Sequence, residues 1–429
     1  MKLMVKNLRR VRALTRAVLL ASLGGCTTTS EAPPPALPAP TVEAVAAAPA
    51  PVAAPATAAV ARRFEEALTD AANTLFSQIR ASANGEKQLL VIDPLIDGVS
   101  GMQSNATRTM ASRIGELVRG HYPQFDLQPF SAANVRRSPK VLVGTFTAVN
   151  SEGDTTGTRE AYRICLALAD LKSGTVAAKG TARAHMPGVD HAPTPYFQDS
   201  PAWMKEASTE GYVNTCQTSK PGDAIQPAYL DSILAGSLIS DAIAAYDAGR
   251  YADALDRYSS ALELPTGHQL RVFNGVYLAN LKLGRQAAAN DAFSRIVAYG
   301  LAKNRLAVKF LFKPGSTAFV PDKQVSAHYP MWMKEIARGA IQSKSCLEVI
   351  GHTSRSGAEP LNQRLSQLRA DYIKKRLQGE EPQLAKRITA QGVGSRDNLV
   401  GTGKDDISDA LDRRVVFQVT ACGGGTQYY

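Results

Sequence analysis

The sequence CLEVIGHTSRSG occupies residues 346–357 and carries the pattern that decides the fold of the C-terminal part. Its first five residues, Cys346–Ile350, are mostly apolar and predict a strand that runs into a glycine-containing loop. Beyond the loop, Asn362, Ser366, Arg369 and Ile373 follow one another at steps of four, three and four residues. This spacing places them on one face of a helix predicted over Asn362–Leu377.

Strands and helices alternate on both sides of this stretch. A two-layer α/β sandwich is the architecture that such an alternation favours. The flanking predicted elements are a strand at Val308–Phe312, a helix at Lys323–Gln342, a strand at Arg387–Gln391 and a last strand within Asp412–Val419.

Residues 304–429 resemble the OmpA-like peptidoglycan-binding domain, which also occurs in peptidoglycan-associated lipoproteins. The matching positions are Gly351-His352-Thr353, Gly357, Asn362, Leu365-Ser366, Arg369-Ala370, Gln391-Gly392-Val393-Gly394 and Arg413-Arg414-Val415. The resemblance implies non-covalent binding of the peptidoglycan stem peptide that contains diaminopimelate. It also implies a binding site that includes Thr353, Ser354, Asn362, Arg369 and Arg414, with the loop Lys313–Thr317 in the same groove.

Two of these residues have a chemistry that can be discussed from the sequence. The planar guanidinium of Arg369 suits bidentate capture of a carboxylate, whereas an isolated helix arginine is more often a solvated charge. Many family members carry an acidic residue, facing the ligand's ammonium group, where this chain has Ser354. A serine accepts a hydrogen bond without a charge, so we expect affinity to fall by roughly 1–2 kcal/mol. Alternatively, another group receives the ammonium, or the stem peptide is modified.

The N-terminus resembles a bacterial lipoprotein signal. A basic segment and a short apolar stretch precede Leu23-Gly24-Gly25-Cys26, which is similar to a lipobox. The resemblance implies cleavage after residue 25 and a diacylglycerol on Cys26, and Thr27 points to the outer membrane because it is not an Asp. The alternative is an ordinary signal peptide with an incidental cysteine. We expect no later apolar run long enough to span a membrane.

Net charge gives no evidence for a nucleic-acid partner. The 429-residue chain carries 49 Lys and Arg against 38 Asp and Glu, a net charge of +11. Six of the positive charges precede residue 26, and without them the net charge is +5. Such a small excess predicts neither a polyanion nor an anionic lipid partner.

The middle of the chain divides by composition. Residues 26–61 are expected to be a linker, because residues 31–61 hold 14 Ala and 8 Pro. Residues 62–222 are predicted to form an α/β module facing the periplasm. Its elements are helices from Phe64 and over Thr107–Arg119, and strands at 89–92, 141–149, 162–171 and 175–184. We expect a long loop or cover at 185–222.

Residues 223–303 contain an internal repeat. Gly249-Arg250-Tyr251 and Gly284-Arg285-Gln286 begin similar patterns 35 residues apart. The pattern resembles tetratricopeptide repeats, which implies pairs of antiparallel helices. The segment is then either a structural connector or a docking site for a protein partner.

Four cysteines remain after Cys26, and an exported chain can pair them in three ways. The division into domains favours Cys165–Cys216 and Cys346–Cys422. Their spacing does not match a zinc site.

The sequence contains no GxSxG nucleophile elbow, HExxH motif, Walker loop or dinucleotide-binding fingerprint. We therefore expect a non-enzymatic protein without cofactor or metal: an outer-membrane lipoprotein that binds peptidoglycan and tethers or displays a periplasmic module. One alternative is a regulator or assembly factor of a cell-wall synthase, secretion or envelope complex, which uses peptidoglycan only for positioning. Another is a cell-wall hydrolase within residues 62–220.

Overall fold

Two long antiparallel strands with few polar positions dominate the first half of the fold. The computed structural model describes residues 60–81, 84–313, 315–322, 326–404 and 406–422, all within one compact unit, Thr57–Tyr429. Cys26, the signal segment and nearly all of the predicted linker lie outside these residues. The strands of the first sheet are β1 Gln88–Ile92, β2 Phe125–Gln128, β3 Lys140–Val149, β4 Ala161–Asp170 and β5 Thr175–His185. Their order in the sheet is β2-β1-β3-β4-β5, with β1 parallel to β2 and β3 and the remaining pairs antiparallel.

Helices cover both faces of this sheet. Along β3, Leu142 and Phe146 pack into one apolar cluster, and Val141 and Val143 pack into another on the opposite face. The first cluster includes helices α1 Phe64–Phe76 and α2 Asn105–His121, and the second includes α5 Ala207–Gln217 and the start of α6 Pro227–Asp247. The other helices of this part are α3 Ala132–Val135 and α4 Pro195–Asp199.

Residues 185–222 were predicted to be a long loop or cover; the long loop was wrong, and part of the segment covers the first sheet. The segment contains α4, the short strand β6 (Ala202–Trp203) and α5. Helix α5 forms because the second face of the first sheet needs an apolar cover, and it buries Tyr212 and Cys216 there. These long-range contacts outweigh the polar composition of the segment.

Four consecutive helices follow. They are α6 Pro227–Asp247, α7 Tyr251–Leu262, α8 Leu270–Lys282 and α9 Gln286–Ala302. The turns after α6 and α8 have nearly the same geometry, with Gly249 and Gly284 at φ of 74° and 73°. By length and composition α6 is apolar enough to cross a membrane, which we did not expect, and half of its apolar window is buried inside the protein. A core helix of a soluble protein meets the same criterion.

The elements of the C-terminal part are β7 Arg305–Val308, α10 Tyr329–Gln342, β8 Cys346–Gly351, α11 Glu359–Glu380, β9 Ile388–Gly392 and β10 Val415–Thr420. With β6 these strands form a mixed second sheet of order β6-β7-β10-β8-β9, in which β8 and β9 are parallel and the other pairs antiparallel. Strand β7 ends at Val308, the residue at which the predicted strand Val308–Phe312 begins. Phe310 and Phe312 instead join an aromatic cluster with Phe319.

The four-helix segment and the second sheet share one apolar core. Trp332 of α10 stacks on Phe293 of α9 with ring centroids 5.3 Å apart, and its indole nitrogen donates to Tyr277 Oη of α8 at 2.9 Å. Leu301 and Leu306, which flank the predicted boundary at residues 303 and 304, belong to the same cluster. The predicted boundary thus divides two segments, 223–303 and 304–429, that share one apolar core.

Both favoured disulfides are present. Cys165 on β4 is bonded to Cys216 on α5, and Cys346 on β8 is bonded to Cys422 after β10, with Cα–Cα distances of 6.0 and 5.3 Å.

Candidate functional site

Two glycines allow helix α11 to lie unusually close to the second sheet. Gly351 and Gly392 are paired in the register of β8 and β9. A Cβ on Gly351 would lie 2.2 Å from Ser366 O, and one on Gly392 would lie 2.2 Å from Gln367 N. Because backbone atoms fill both spaces, only glycine fits. The close approach places the first turns of α11 over the ends of the strands.

The predicted helix face is confirmed. Asn362, Ser366, Arg369 and Ile373 are all buried residues of α11. Asn362 lies in the first turn, because the helix begins at Glu359. Ser366 Oγ accepts a hydrogen bond from Gly394 N at 2.9 Å, which fastens the loop after β9 to the helix.

The loop after β8 is held against this helix. Thr353 N donates to Gly394 O at 3.0 Å, and Asn398 Nδ2 donates to Thr353 O at 2.8 Å. The hydroxyls of Ser354 and Ser356 are 3.2 Å apart. Thr353 and Ser354 are 2% and 4% exposed, so the loop presents only small parts of these side chains to a ligand.

Three of the predicted binding residues carry buried polar atoms without a hydrogen-bond partner among the described residues. These atoms are Asn362 Nδ2, Thr353 Oγ1 and, on Arg414, Nε and Nη1. Buried polar atoms in native proteins almost always have partners, from the protein, from water or from a ligand. The amide and the hydroxyl are therefore groups that a bound molecule can satisfy.

Arg369 holds the backbone of Lys313 and Ser316. Its Nε donates to Ser316 O at 3.1 Å and its Nη2 donates to Lys313 O at 3.2 Å. The guanidinium carbon lies 4.8 Å from the centre of the Phe312 ring, a cation–π distance. The expectation that the Lys313–Thr317 loop lies beside Arg369 agrees with these contacts. Arg369 is a buried residue rather than a solvated helix charge, with 4% of its surface exposed.

Arg414 lies on the other face of the sheet. Its neighbours Val415 and Phe417 belong to the core beneath α11, so the side chain of Arg414 points away from that helix. There it lines a cavity of about 820 Å³ together with Arg305 and other residues. Its Nη2 donates to Asp397 O at 2.9 Å. The structure therefore does not bring Arg414 together with Arg369, although the sequence had placed both in one groove.

His352 lies beside Arg414 and is neutral. Burial lowers the pKa of His352 to about 2, and the charges of Arg414 and Arg305 act in the same direction. Burial also lowers the pKa of Arg414 to about 10, which leaves the guanidinium charged at neutral pH. A buried, neutral imidazole is a structural part of the loop rather than a charged ligand group.

Sequence reasoning missed several residues that shape this region. Asn398 was overlooked although it fixes Thr353, and Asp412 was overlooked although its carboxylate accepts the amides of Leu399, Val400 and Gly401. Arg159 of the first module and Arg355 of the loop after β8 were also missed. In the sequence, Asp412, Arg159 and Arg355 stand out only as charged residues within polar loops. A charge in a polar loop does not distinguish a site residue from a solvated one.

Within the described part of the chain, no cluster of three or more His, Cys, Asp or Glu side chains is arranged to hold a metal ion. The site consists of a guanidinium, an amide and hydroxyls. Such groups bind a ligand through hydrogen bonds and charge.

Comparison with known proteins identifies the C-terminal part. Residues 311–410 match the OmpA family, so the chain contains an OmpA-family domain there. No match was found among curated proteins.

Similar solved structures cover about a quarter of this chain. The cell wall anchor of the T6SS from Pseudomonas aeruginosa is 24% identical over 27% of this chain and 80% of its own, with a TM-score of 0.23. The peptidoglycan-associated lipoprotein from Burkholderia pseudomallei is 20% identical over 28% and 93%, with a TM-score of 0.23. The periplasmic domain of Helicobacter pylori MotB (residues 90–256) is 18% identical over 27% and 74%, with a TM-score of 0.22.

Proposed function

We propose that this protein binds peptidoglycan non-covalently through the groove between α11 and the loops after β7 and β8. The observation that carries the proposal is the buried set formed by Arg369, Asn362 and Thr353 within the OmpA-family domain. Two of its polar atoms have no partner among the described residues, which supports a site built for a ligand. The ligand proposed is the stem peptide that contains diaminopimelate.

Recognition of the ligand proceeds by exchange of hydrogen bonds. Arg369 now donates to the carbonyls of Lys313 and Ser316, and a ligand carboxylate takes over donors from these neutral acceptors. A charge-assisted pair is about twice as strong as a bond to a carbonyl. Asn362 Nδ2 and Thr353 Oγ1 then bond the peptide beside the carboxylate. We expect Lys313 and Ser316 to shift when the ligand enters, because its carboxylate competes with their carbonyls for the donors of Arg369.

The proposal also assigns a role to each segment that precedes the OmpA-family domain. Cys26 carries the lipid that holds the protein in the outer membrane, and residues 26–61 span the distance to the cell wall. Residues 62–222 and the tetratricopeptide-like segment 223–303 face the periplasm, where the repeats offer a surface to a protein partner. No bond is made or broken, so the protein is not an enzyme.

Replacing Cys26 with Ala should abolish labelling by palmitate and release the protein from the outer membrane.

Co-sedimentation of the purified full chain with peptidoglycan sacculi tests the central proposal. Arg369→Ala should weaken binding at least about tenfold, which corresponds to about 1.4 kcal/mol. Arg369→Lys should recover only part of the loss, because an ammonium lacks the planar fork of donors. The matched control is Arg376→Ala on the same helix, whose side chain donates to Tyr372 Oη.

Two further measurements exclude trivial outcomes. Circular dichroism and melting curves establish that each variant is folded, and Asn362→Ala provides a second test if Arg369→Ala does not fold. A soluble muropeptide with diaminopimelate should compete with the sacculi, whereas one with lysine at that position should compete less. If folded Arg369→Ala and Asn362→Ala both sediment like the parent, the groove is not the binding site.

A further inference from the structure

Two arginines from distant parts of the chain meet at one carbonyl oxygen. Arg159 lies just before β4 in the first module, and Arg355 lies in the loop after β8. The Nη1 atom of each donates a hydrogen bond to Gly157 O, at 2.9 Å from Arg159. The contact therefore brings two like charges to the rim of the proposed binding loop.

Arg159 is enclosed at this point. It is 9% exposed, and its Nε has no hydrogen-bond partner among the described residues. The backbone of Gly401 lies against it, since a Cβ added there would be 3.2 Å from Arg159 Nη2. Burial lowers the pKa of Arg159, and the charge of Arg355 lowers it further. Arg355 is partly exposed, so solvent and ligands reach the pair from its side.

The two carboxylates whose charges act on Arg159 accept hydrogen bonds from other groups. Asp412 accepts three backbone amides, and Asp97 accepts the amides of Val99 and Ser100 together with the Ser100 hydroxyl. Both attract Arg159 only over a longer distance. In the part of the chain that the structure describes, no carboxylate forms an ion pair with Arg159 or Arg355. The pair therefore retains its positive charge and suits an anion.

We propose that Arg159 and Arg355 together bind a carboxylate of the peptidoglycan stem peptide, so that the first module contributes directly to the peptidoglycan-binding surface. This inference rests on the function proposed above. Arg355 directly follows Thr353 and Ser354 in the loop after β8, so the pair adjoins the proposed site. A stem peptide carries more than one carboxylate, and Arg369 and the arginine pair each take one.

The test compares single and double variants of the full chain on sacculi. Arg159→Gln and Arg355→Gln should each weaken binding about threefold to tenfold. Together they should weaken it by less than the product of the single effects, because both arginines serve one carboxylate. Arg183→Gln is the matched control, since Arg183 donates to the carbonyls of Asn150 and Ser151 in the same loop without joining the pair. It should bind like the parent.

Chemical modification of the sacculi identifies the ligand group. Converting their carboxylates to amides should weaken the parent and abolish the difference between the parent and the Arg355→Gln variant. Inorganic phosphate at millimolar concentration should not displace intact sacculi from the parent. If phosphate does displace them through the pair, the anion is a phosphate group and the proposal is wrong.

The experiment distinguishes failure of the proposed function from failure of this inference alone. If the parent does not bind sacculi at all, the proposed function fails. If the parent binds, Arg369→Ala does not, and the folded Arg159 and Arg355 variants bind like the parent, then only the inference fails and the Gly157 contact is purely structural. Should Arg159→Gln not fold, Arg355→Gln decides the question, because this residue lies at the partly exposed rim.

Discussion

Trp203 and Ser100 connect the two sheets. The indole nitrogen of Trp203, on edge strand β6 of the second sheet, donates a hydrogen bond to the carbonyl oxygen of Ser100 at 2.7 Å. Ser100 lies in the loop after β1 of the first sheet and is itself fixed by Asp97, whose carboxylate accepts its amide at 2.7 Å. The position of the second sheet thus depends on a loop about 100 residues earlier.

Loss of this hydrogen bond should reduce stability measurably. Trp203→Phe keeps an aromatic ring but leaves Ser100 O without its donor, so we expect the free energy of unfolding to fall by about 1–2 kcal/mol. Urea denaturation of the full chain measures the change. An unchanged midpoint would show that water replaces the indole at no cost.

Gly351 should not tolerate even the smallest side chain. Gly351→Ala places a Cβ 2.2 Å from Ser366 O, and a backbone oxygen can move only with its helix. We expect a loss of about 2–3 kcal/mol in unfolding free energy. Gly379→Ala on α11 is the control, because open space surrounds it. It should leave stability equal or raise it by up to about 1 kcal/mol. Equal effects of the two substitutions would contradict the close packing of α11.

The two disulfides should differ in their resistance to reduction. Cys422 is exposed, whereas Cys165 and Cys216 are 1% and 0% exposed. A thiol reductant should therefore cleave Cys346–Cys422 in the native protein and spare Cys165–Cys216 until unfolding. Alkylation of the freed thiols followed by mass spectrometry measures the order of cleavage. Earlier reduction of Cys165–Cys216 would be incompatible with its burial.

Removing the Cys346–Cys422 disulfide should also lower stability. The bond joins residues 76 positions apart. A closed loop of this length is worth about 4 kcal/mol when only the entropy of the unfolded chain is counted. The variant with both cysteines replaced by Ala, melted beside the parent, measures the effect. A loss below about 1 kcal/mol would mean that other contacts hold the chain end.

His352 should contribute to instability at acidic pH. Its pKa is about 2 in the folded protein, against a usual value of 6.5, because burial disfavours the charged ring. Below pH 6.5 the unfolded chain takes up a proton that the folded chain does not, so stability falls as pH falls. The slope approaches about 1.4 kcal/mol per pH unit.

The variant His352→Gln isolates this contribution. The difference in unfolding free energy between parent and variant should shift in favour of the variant as pH falls from 7 to 5. A difference that does not depend on pH would mean that the folded protein also protonates His352.

The sequence predicted the parts of the fold whose signal is local. The apolar pattern of residues 141–149 predicted β3, and the spacing from Asn362 to Ile373 predicted the buried face of α11. The strand β6 could not be predicted, because two residues carry no periodicity and the strand exists only through its pairing with β7.

The candidate site was predictable only in part. Arg369 and Asn362 lie at family positions on a regular helix, so their common face followed from spacing. The direction of Arg414 depends on which face of β10 is packed against α11, and this follows from strand pairing rather than composition. The meeting of Arg159 with Arg355 depends on how the first module packs against the loop after β8. No local pattern encodes such a contact.

Strand β6 has a practical consequence for dissecting this protein. A fragment beginning at residue 304 lacks Ala202 and Trp203, and β7 then becomes an uncovered edge. Unpaired backbone groups on such an edge recruit strands from other molecules, which leads to dimers and aggregates. A truncated C-terminal fragment would therefore give misleading oligomeric states and binding curves. The domain that would ordinarily be cloned on its own is, in this chain, completed by residues from the other half.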